Sequence, residues 1–325
     1  MTTPIHGIDP EASDGRLAAL VSTIRRHHLD AATEQDRSLL AAAKLSRLPG
    51  GHNNTAYACR IGEHHVCVKI YRVDERNRAK REWRALTALA ALHLHDTPKP
   101  YAYHPDRALP VVVMELISGD VLGDSPLTDP QLTALHHALA RLFAITPDTL
   151  PNTALPAVSG NASDMRQRVK HTFSTLTNTD DPEPLARQAL DCWNTWRSSR
   201  DDELLAAAAP RVFGRGDPNI RNCLWNGHTL RLIDLEYAGW SDRAYELAEL
   251  IEHPESRTTA DATWQHLIDR FDLPPTEYRR LHAARRLLAL FWTSRLRPSP
   301  NAPHDPRYEA QMQRTTALIR PLTRT

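Results

Sequence analysis

The segment Phe213-Gly214-Arg215-Gly216-Asp217-Pro218-Asn219-Ile220-Arg221-Asn222, followed by Leu232-Ile233-Asp234-Leu235-Glu236, constrains this chain more than any other feature. It places an Asp and an Asn on one short loop, then a second Asp at the end of an apolar strand. Phosphoryl transfer from a nucleotide needs that set of groups. One carboxylate orients the attacking hydroxyl and takes its proton. A neutral oxygen and a second carboxylate hold magnesium against the phosphates. Asp217 is therefore the candidate general base, and Asn222 and Asp234 are the candidate metal ligands. Read alone, Gly216 to Asn219 is also a run of turn formers, so the remainder of the chain has to decide.

The remainder supplies two lobes. A chain of 325 residues is long enough for both and for a sizeable core. Residues 15–43 carry apolar positions at helical spacing and read as leading helices. Leu45 to Leu48 reads as a short strand. Thr55 to Ile61 and Val66 to Tyr71, joined at Gly62-Glu63, read as a hairpin. Asp74 to Leu92 is an amphipathic helix, Pro98 to His104 a connector, and Pro110 to Leu116 a buried strand. Beyond Ser118-Gly119-Asp120 the pattern turns helical: Asp129 to Ile145, Met165 to Leu176, Pro184 to Ala209, Tyr245 to Ile251, Thr259 to Phe271, Pro275 to Leu296 and Pro306 to Leu322. The expected class is α+β, with a nucleotide-covering lobe at 1–117 and a larger helical lobe at 118–325.

These motifs resemble the kinase-like superfamily of aminoglycoside phosphotransferases and choline kinases, whose catalytic loop reads His-Gly-Asp, four residues, Asn. Here Arg215 stands in the His position. An Arg cannot become neutral, so it needs a carbonyl or carboxylate partner, or it projects outward. Lys69 follows Val66-Cys67-Val68 and is similar to the kinase strand whose Lys binds the nucleotide phosphates; the resemblance implies Glu82 as its partner, with Glu75 competing. Pro49 to Thr55 is the implied phosphate loop, with Gly51, Asn53 and Asn54 as its contacts. The backbones of Glu115 and Ile117 are implied to meet the adenine edge. Glu236 either supports the metal shell or substrate, or is a solvated strand end. Glu246 replaces a family Asp that accepts bonds from the catalytic-loop backbone, Arg243 takes a family Pro position, and Asp242 is alternatively a plain helix N-cap.

The resemblance implies a two-lobe protein-kinase-like fold and an O-phosphotransferase that uses ATP, or GTP, with Mg2+ on a small-molecule hydroxyl. An antibiotic or specialised metabolite is the leading acceptor. A peptide Ser/Thr kinase acting on a precursor peptide in lanthipeptide-like biosynthesis is a second reading, and a catalytically inactive scaffold a third. The net charge of +1 implies no general affinity for nucleic acid. Leu109 to Ile117 is too short to span a bilayer, so no membrane partner is expected. No secretory signal is evident at the N-terminus, and Cys59, Cys67, Cys192 and Cys223 lack metal spacing, so a reduced cytoplasmic setting is expected. Two charge groups bear on the acceptor with opposite sign. Arg279, Arg280, Arg285, Arg286, Arg295 and Arg297 favour a neutral or anionic one. The acids at 180–183 and 201–203 favour a cationic one.

Overall fold

Alternating apolar positions and a Gly62 turn at φ 60° fold residues 54–71 into an antiparallel hairpin. The computed structural model describes residues 10–49, 54–150, 155–158, 160–177, 183–298 and 305–324. The expected phosphate-loop residues Gly51 and Asn53 and the acids at 180–181 lie outside the described residues. Contacts between Cα atoms divide the chain into two units: Met1–Asp120 with Leu224–Tyr237, and Val121–Cys223 with Ala238–Thr325.

The first unit opens with α1 (Pro10–His28) and α2 (Glu34–Ala42), the latter started by a capping box in which Thr33 and Asp36 bond each other's backbone N–H. Then come β1 (Ser46–Arg47), β2 (Asn54–Ile61), β3 (His64–Tyr71), α3 (Arg78–Ala91), β4 (Pro100–His104) and β5 (Val111–Glu115). The five strands form one antiparallel sheet in the order β1-β2-β3-β5-β4. Leu17, Val21 and Ile24 of α1 share a core with Val66, Val68 and Ile70 of β3 and with Val111 and Val113 of β5. Residues 98–104, expected as a connector, instead supply β4, which pairs with β5 across a register shift at Pro100/Ala102. Pro100 cannot donate to a ladder, which is tolerated on an edge strand. Helix α3 starts later than the amphipathic pattern suggests. Asp74 accepts from the Arg76 N–H, and Asn77 adopts φ 50°, so 74–77 forms a turn instead.

The boundary residues Asp120 and Val121 form the short β6 (Asp120–Val121). The second unit is mostly helical: α4 (Asp129–Phe143), α5 (Ala162–Thr177), α6 (Pro184–Arg197), α7 (Asp201–Ala206), then β7 (Val212–Gly214). The run 184–209, expected as one helix, breaks at Ser198–Arg200 into α6 and α7. After β7 come the loop Arg215–Asn222, β8 (Cys223–Trp225), β9 (Leu230–Leu232) and β10 (Gly239–Ser241), which pairs antiparallel with β7. Helices α8 (Arg243–Glu252), α9 (Asp261–Asp269), α10 (Pro275–Leu296) and α11 (Pro306–Ile319) follow. The core of this unit joins α5, α6, α8, α10 and α11 around Phe173, Trp193, Trp196, Tyr245 and Leu287. Among the described residues no helix is long and apolar enough to cross a membrane. All four cysteines are free. Cys67 faces Ala58 in the β2–β3 ladder, not Cys59.

Candidate active site

Within the first unit, period-2 alternation along β3 turns Lys69 and Tyr71 to the same face, and α3 presents Glu82 and Arg78 from adjacent turns. The Lys69 Nζ lies 2.7 Å from Glu82 Oε2, 2.5 Å from Asp234 Oδ1 and 3.3 Å from Glu236 Oε2. Glu82 also accepts from the Tyr71 hydroxyl, and from the Leu235 N–H at 3.0 Å. Glu75 is exposed and forms no part of this cluster. Burial opposes the Lys69 charge, but Asp234 and then Glu82 outweigh it and hold its pKa well above the usual value. Lys69 is an ammonium ion here at any physiological pH.

Asp234 lies two residues past β9, with φ 64°. That left-handed conformation is uncommon for a non-Gly residue, and Asp is among the side chains that tolerate it. It turns the carboxylate toward Lys69 beside Glu236, although the backbone there is not an extended strand. Glu236 is 2% exposed, so it is not a solvated strand end. It accepts from Asn54 Nδ2 at 2.6 Å and lies 3.4 Å from Arg78 Nη1. Glu82, Asp234 and Glu236 thus bring three negative charges against the positive charges of Lys69 and Arg78, and Asp74 also draws on Arg78 at 3.1 Å. At least one negative charge is unbalanced. Asp234 is the most exposed of the three carboxylates, at 30% of its side chain, against 1% for Glu82 and 2% for Glu236. The three can place carboxylate oxygens within 4.8 Å of one another, an all-oxygen donor set of the kind a hard cation accepts. Glu82 and Glu236 are bonded to Lys69, Tyr71, Asn54 and Arg78, so Asp234 is the carboxylate of this set most open to a hard cation such as magnesium.

At the end of β5, the Glu115 N–H is taken by the Lys99 carbonyl at 2.8 Å, and its carboxylate by Arg231 at 2.8 Å. The Ile117 N–H has no hydrogen bond among the described residues. Of the two expected adenine contacts, only Ile117 therefore offers its donor.

Within the second unit, the loop after β7 is held from beneath. Gly216 has φ 70°, which a glycine adopts without strain. Gly214 admits no side chain: a Cβ there would lie 2.4 Å from both Glu246 Oε1 and Ser241 Cβ. Glu246, on the first turn of α8, accepts the Arg215 N–H at 2.9 Å. Arg215 is 1% exposed, and its guanidinium donates to the Asn219 carbonyl at 3.2 Å and approaches Cys223 Sγ at 3.7 Å. The guanidinium thus finds the carbonyl partner it needs, inside the loop that it supports. Asn219 caps the turn Ile220–Asn222 by accepting from the Arg221 N–H at 2.9 Å. Asn222 Nδ2 approaches the Asp217 carbonyl at 3.5 Å, so these residues belong to one folded loop, and Asp217 is only partly buried. Asp242 does cap α8, accepting from the Tyr245 N–H at 2.9 Å, and it also bonds Arg280 at 2.9 Å.

The family model described as the phosphotransferase enzyme family (APH) matches residues 44–284. The chain belongs to this family. Comparison with curated proteins yields no match. Among solved structures, a choline/ethanolamine kinase family protein from Mesorhizobium loti is 21% identical with a TM-score of 0.61, covering 92% of this chain and 95% of that one. A thermostable variant of aminoglycoside phosphotransferase APH(4)-Ia, in complex with ADP and hygromycin B, is 17% identical with a TM-score of 0.57, covering 89% and 98%. Spectinomycin phosphotransferase APH(9)-Ia, in complex with ADP and spectinomycin, is 12% identical with a TM-score of 0.57, covering 88% and 97%. At these identities the likeness is one of fold, and it is the two-lobe kinase-like α+β fold that the motifs imply.

In this phosphotransferase three arginines of α10 have internal tasks. Arg286 pairs with Asp201 at 2.6 Å, Arg285 with Glu252 at 2.8 Å and Arg280 with Asp242. Asp202 is held by Arg166 at 2.8 Å and Lys170 at 2.9 Å, and the Arg166 hydrogen bond above all pulls its pKa down to about 2. Arg280, Arg285, Arg286, Asp201 and Asp202, which bore on acceptor charge in the sequence, are therefore each held in an ion pair within the second unit. Tyr71, Arg78 and Glu249 escaped the sequence reading. Tyr71 and Arg78 carried a usable signal, two residues from Lys69 on a strand and four before Glu82 on a helix. Glu249 lies one turn beyond Glu246 on α8, and its Oε2 is buried without a hydrogen-bond partner among the described residues. Burial, then the charges of Glu246 and Asp217, push its pKa well above the usual carboxylate range.

Proposed function

We propose that this chain is an ATP- and magnesium-dependent O-phosphotransferase acting on a hydroxyl of a small molecule, of the antibiotic or specialised-metabolite kind. The observation that carries the reading is Lys69 sealed between Glu82 and Asp234. An ammonium fixed on a strand by a helix carboxylate is suited to bind nucleotide phosphates, and its second carboxylate partner is the residue proposed to face the metal. Asp234 and Asn222 would hold magnesium, whose chemical contribution is to neutralise charge on the phosphates during transfer. Asp217 orients the acceptor hydroxyl and takes its proton as the new P–O bond forms and the bond from the γ-phosphorus to the bridging oxygen of the departing ADP breaks. Glu246 and Arg215 keep the Asp217 loop in shape through the Arg215 N–H and the Asn219 carbonyl. The Ile117 N–H is the remaining backbone donor for an adenine edge, and Asn54 steadies Glu236. Support for a small-molecule acceptor comes from family membership and from solved relatives holding hygromycin B or spectinomycin beside ADP.

The test is transfer of labelled phosphate from ATP, and from GTP in parallel, to a panel of hydroxyl-bearing metabolites with and without magnesium. Asp217→Asn is expected to lower turnover by about two orders of magnitude or more with nucleotide affinity little changed, the pattern of a group that acts in the transfer step. Near-parental turnover in that variant would remove Asp217 from the role of base.

A further inference from the structure

A cavity of about 290 Å³ lies in the first unit between the β3–α3 turn and the β4–β5 turn. Its charged lining is unequal. Asp74 is committed to the Arg76 N–H at 3.1 Å and to Arg78 at 3.1 Å. Asp106 accepts from the N–H groups of Leu109 at 2.9 Å and Ala108 at 2.8 Å, which hold its pKa below the usual value. Arg72, Lys80 and Arg107 line the same space, and none of their side chains has a hydrogen bond or ion pair among the described residues. The lining carries four cations, Arg72, Arg78, Lys80 and Arg107, against two acids, Asp74 and Asp106, so a positive excess faces this concave surface.

We propose that this cavity binds a small phosphate-bearing anion, held by Arg72, Lys80 and Arg107. Cations gathered on one concave surface concentrate potential in a way that dispersed surface charges do not. The volume is at the small end for ligand sites, which suits inorganic phosphate or a phosphorylated metabolite better than a nucleotide. Arg78 also lines the cavity, and its guanidinium lies 3.4 Å from Glu236, inside the Lys69 cluster. An anion in the cavity competes with Asp74 and Glu236 for that guanidinium, so occupancy is felt at the residues proposed to serve the nucleotide.

The experiment titrates the full chain at low ionic strength with inorganic phosphate and, separately, with a sugar phosphate, following calorimetry and amide NMR shifts. One saturable site is expected, with the largest shifts at residues 72–80 and 103–110. Affinity should fall at least about tenfold in the Arg72→Ala/Lys80→Ala/Arg107→Ala variant, and also in Arg107→Glu, whose exposed position leaves folding intact. Tighter binding of the sugar phosphate marks a metabolite site, and equal binding marks recognition of the phosphate group alone. The proposal is overturned if neither ligand saturates, if the variants bind like the parent, or if the largest shifts fall on β3 and residues 230–236.

Discussion

Lys69 shows how one buried side chain depends on its partners. Taking an ammonium out of water costs several kcal/mol unless opposite charges meet it, and here Glu82, Asp234 and Glu236 all do. Removing it leaves those carboxylates facing one another. Lys69→Met is therefore expected to destabilise the first unit by about 3–5 kcal/mol, the usual cost of stranding buried charge, read as a lower denaturant midpoint. A parental midpoint would mean that the cluster is solvated. Glu249 gives the opposite case, a carboxyl whose charged form is resisted. Its folded-state pKa stands above the ordinary 4.5 because burial, Glu246 and Asp217 disfavour ionisation, while Arg215 only partly compensates. The stability it contributes is fully present below that ordinary value and is lost as pH rises through the folded value. Glu249→Gln should thus gain in Tm relative to the parent as pH is raised from about 5 to 9. Parallel melting curves across that range would show that Glu249 ionises freely.

Among the elements, β7 and α8 together set the position of the Arg215–Asn222 loop. The approach of Glu246 to the β7 backbone is possible only because residue 214 has no side chain. Gly214→Ala would press a Cβ against Glu246 and against Ser241 on the paired strand β10. Overpacking of that sort costs roughly 1–3 kcal/mol, and the displaced Glu246 would release the Arg215 N–H. Lower Tm and lower turnover should appear together, checked by melting and by the phosphate-transfer assay on the same preparation; an unchanged Tm would mean that the strands separate without cost. Helix α3 carries Arg78 and Glu82 from adjacent turns into one cluster, and its start after the 74–77 turn puts Arg78 at the first helical position. The sequence pattern 74–92 showed that a helix was there, but the Asp74 side-chain bond and the Asn77 conformation decided where it begins.

For the whole molecule, a ligand that binds only the folded state raises stability by mass action, about 2.7 kcal/mol at one hundred times its Kd. ATP with magnesium should raise the parent's Tm well above the value with ATP alone. Asp234→Ala should abolish that magnesium-dependent increment, since it removes the most exposed carboxylate of a cluster that already carries excess negative charge. An increment equal to the parent's would take Asp234 out of the metal site.

Much of this protein was legible in one dimension. The β2–β3 hairpin, the helices of the second unit and the order Asp217, Asn222, Asp234 follow from local periodicity and from chemistry that needs particular side chains at short spacing. Lys69 with Glu82 was legible too, because a strand Lys and a mid-helix acid are each set by their own element. Other features depended on partners distant in sequence. Strand β4 exists because β5 offers it an edge, and nothing within Pro98 to His104 signals that ladder. The segment Leu224–Tyr237 joins the first unit although more than a hundred residues separate it from the rest of that unit, so Glu236 meets Asn54 and Arg78. Arg280, Arg285 and Arg286 of α10 looked like part of a surface for an acceptor until the fold brought Asp242, Glu252 and Asp201 to them. Local propensity and spacing act within a few residues along the chain, whereas the burial of a charge is settled by whichever groups the tertiary structure places within about 4 Å of it.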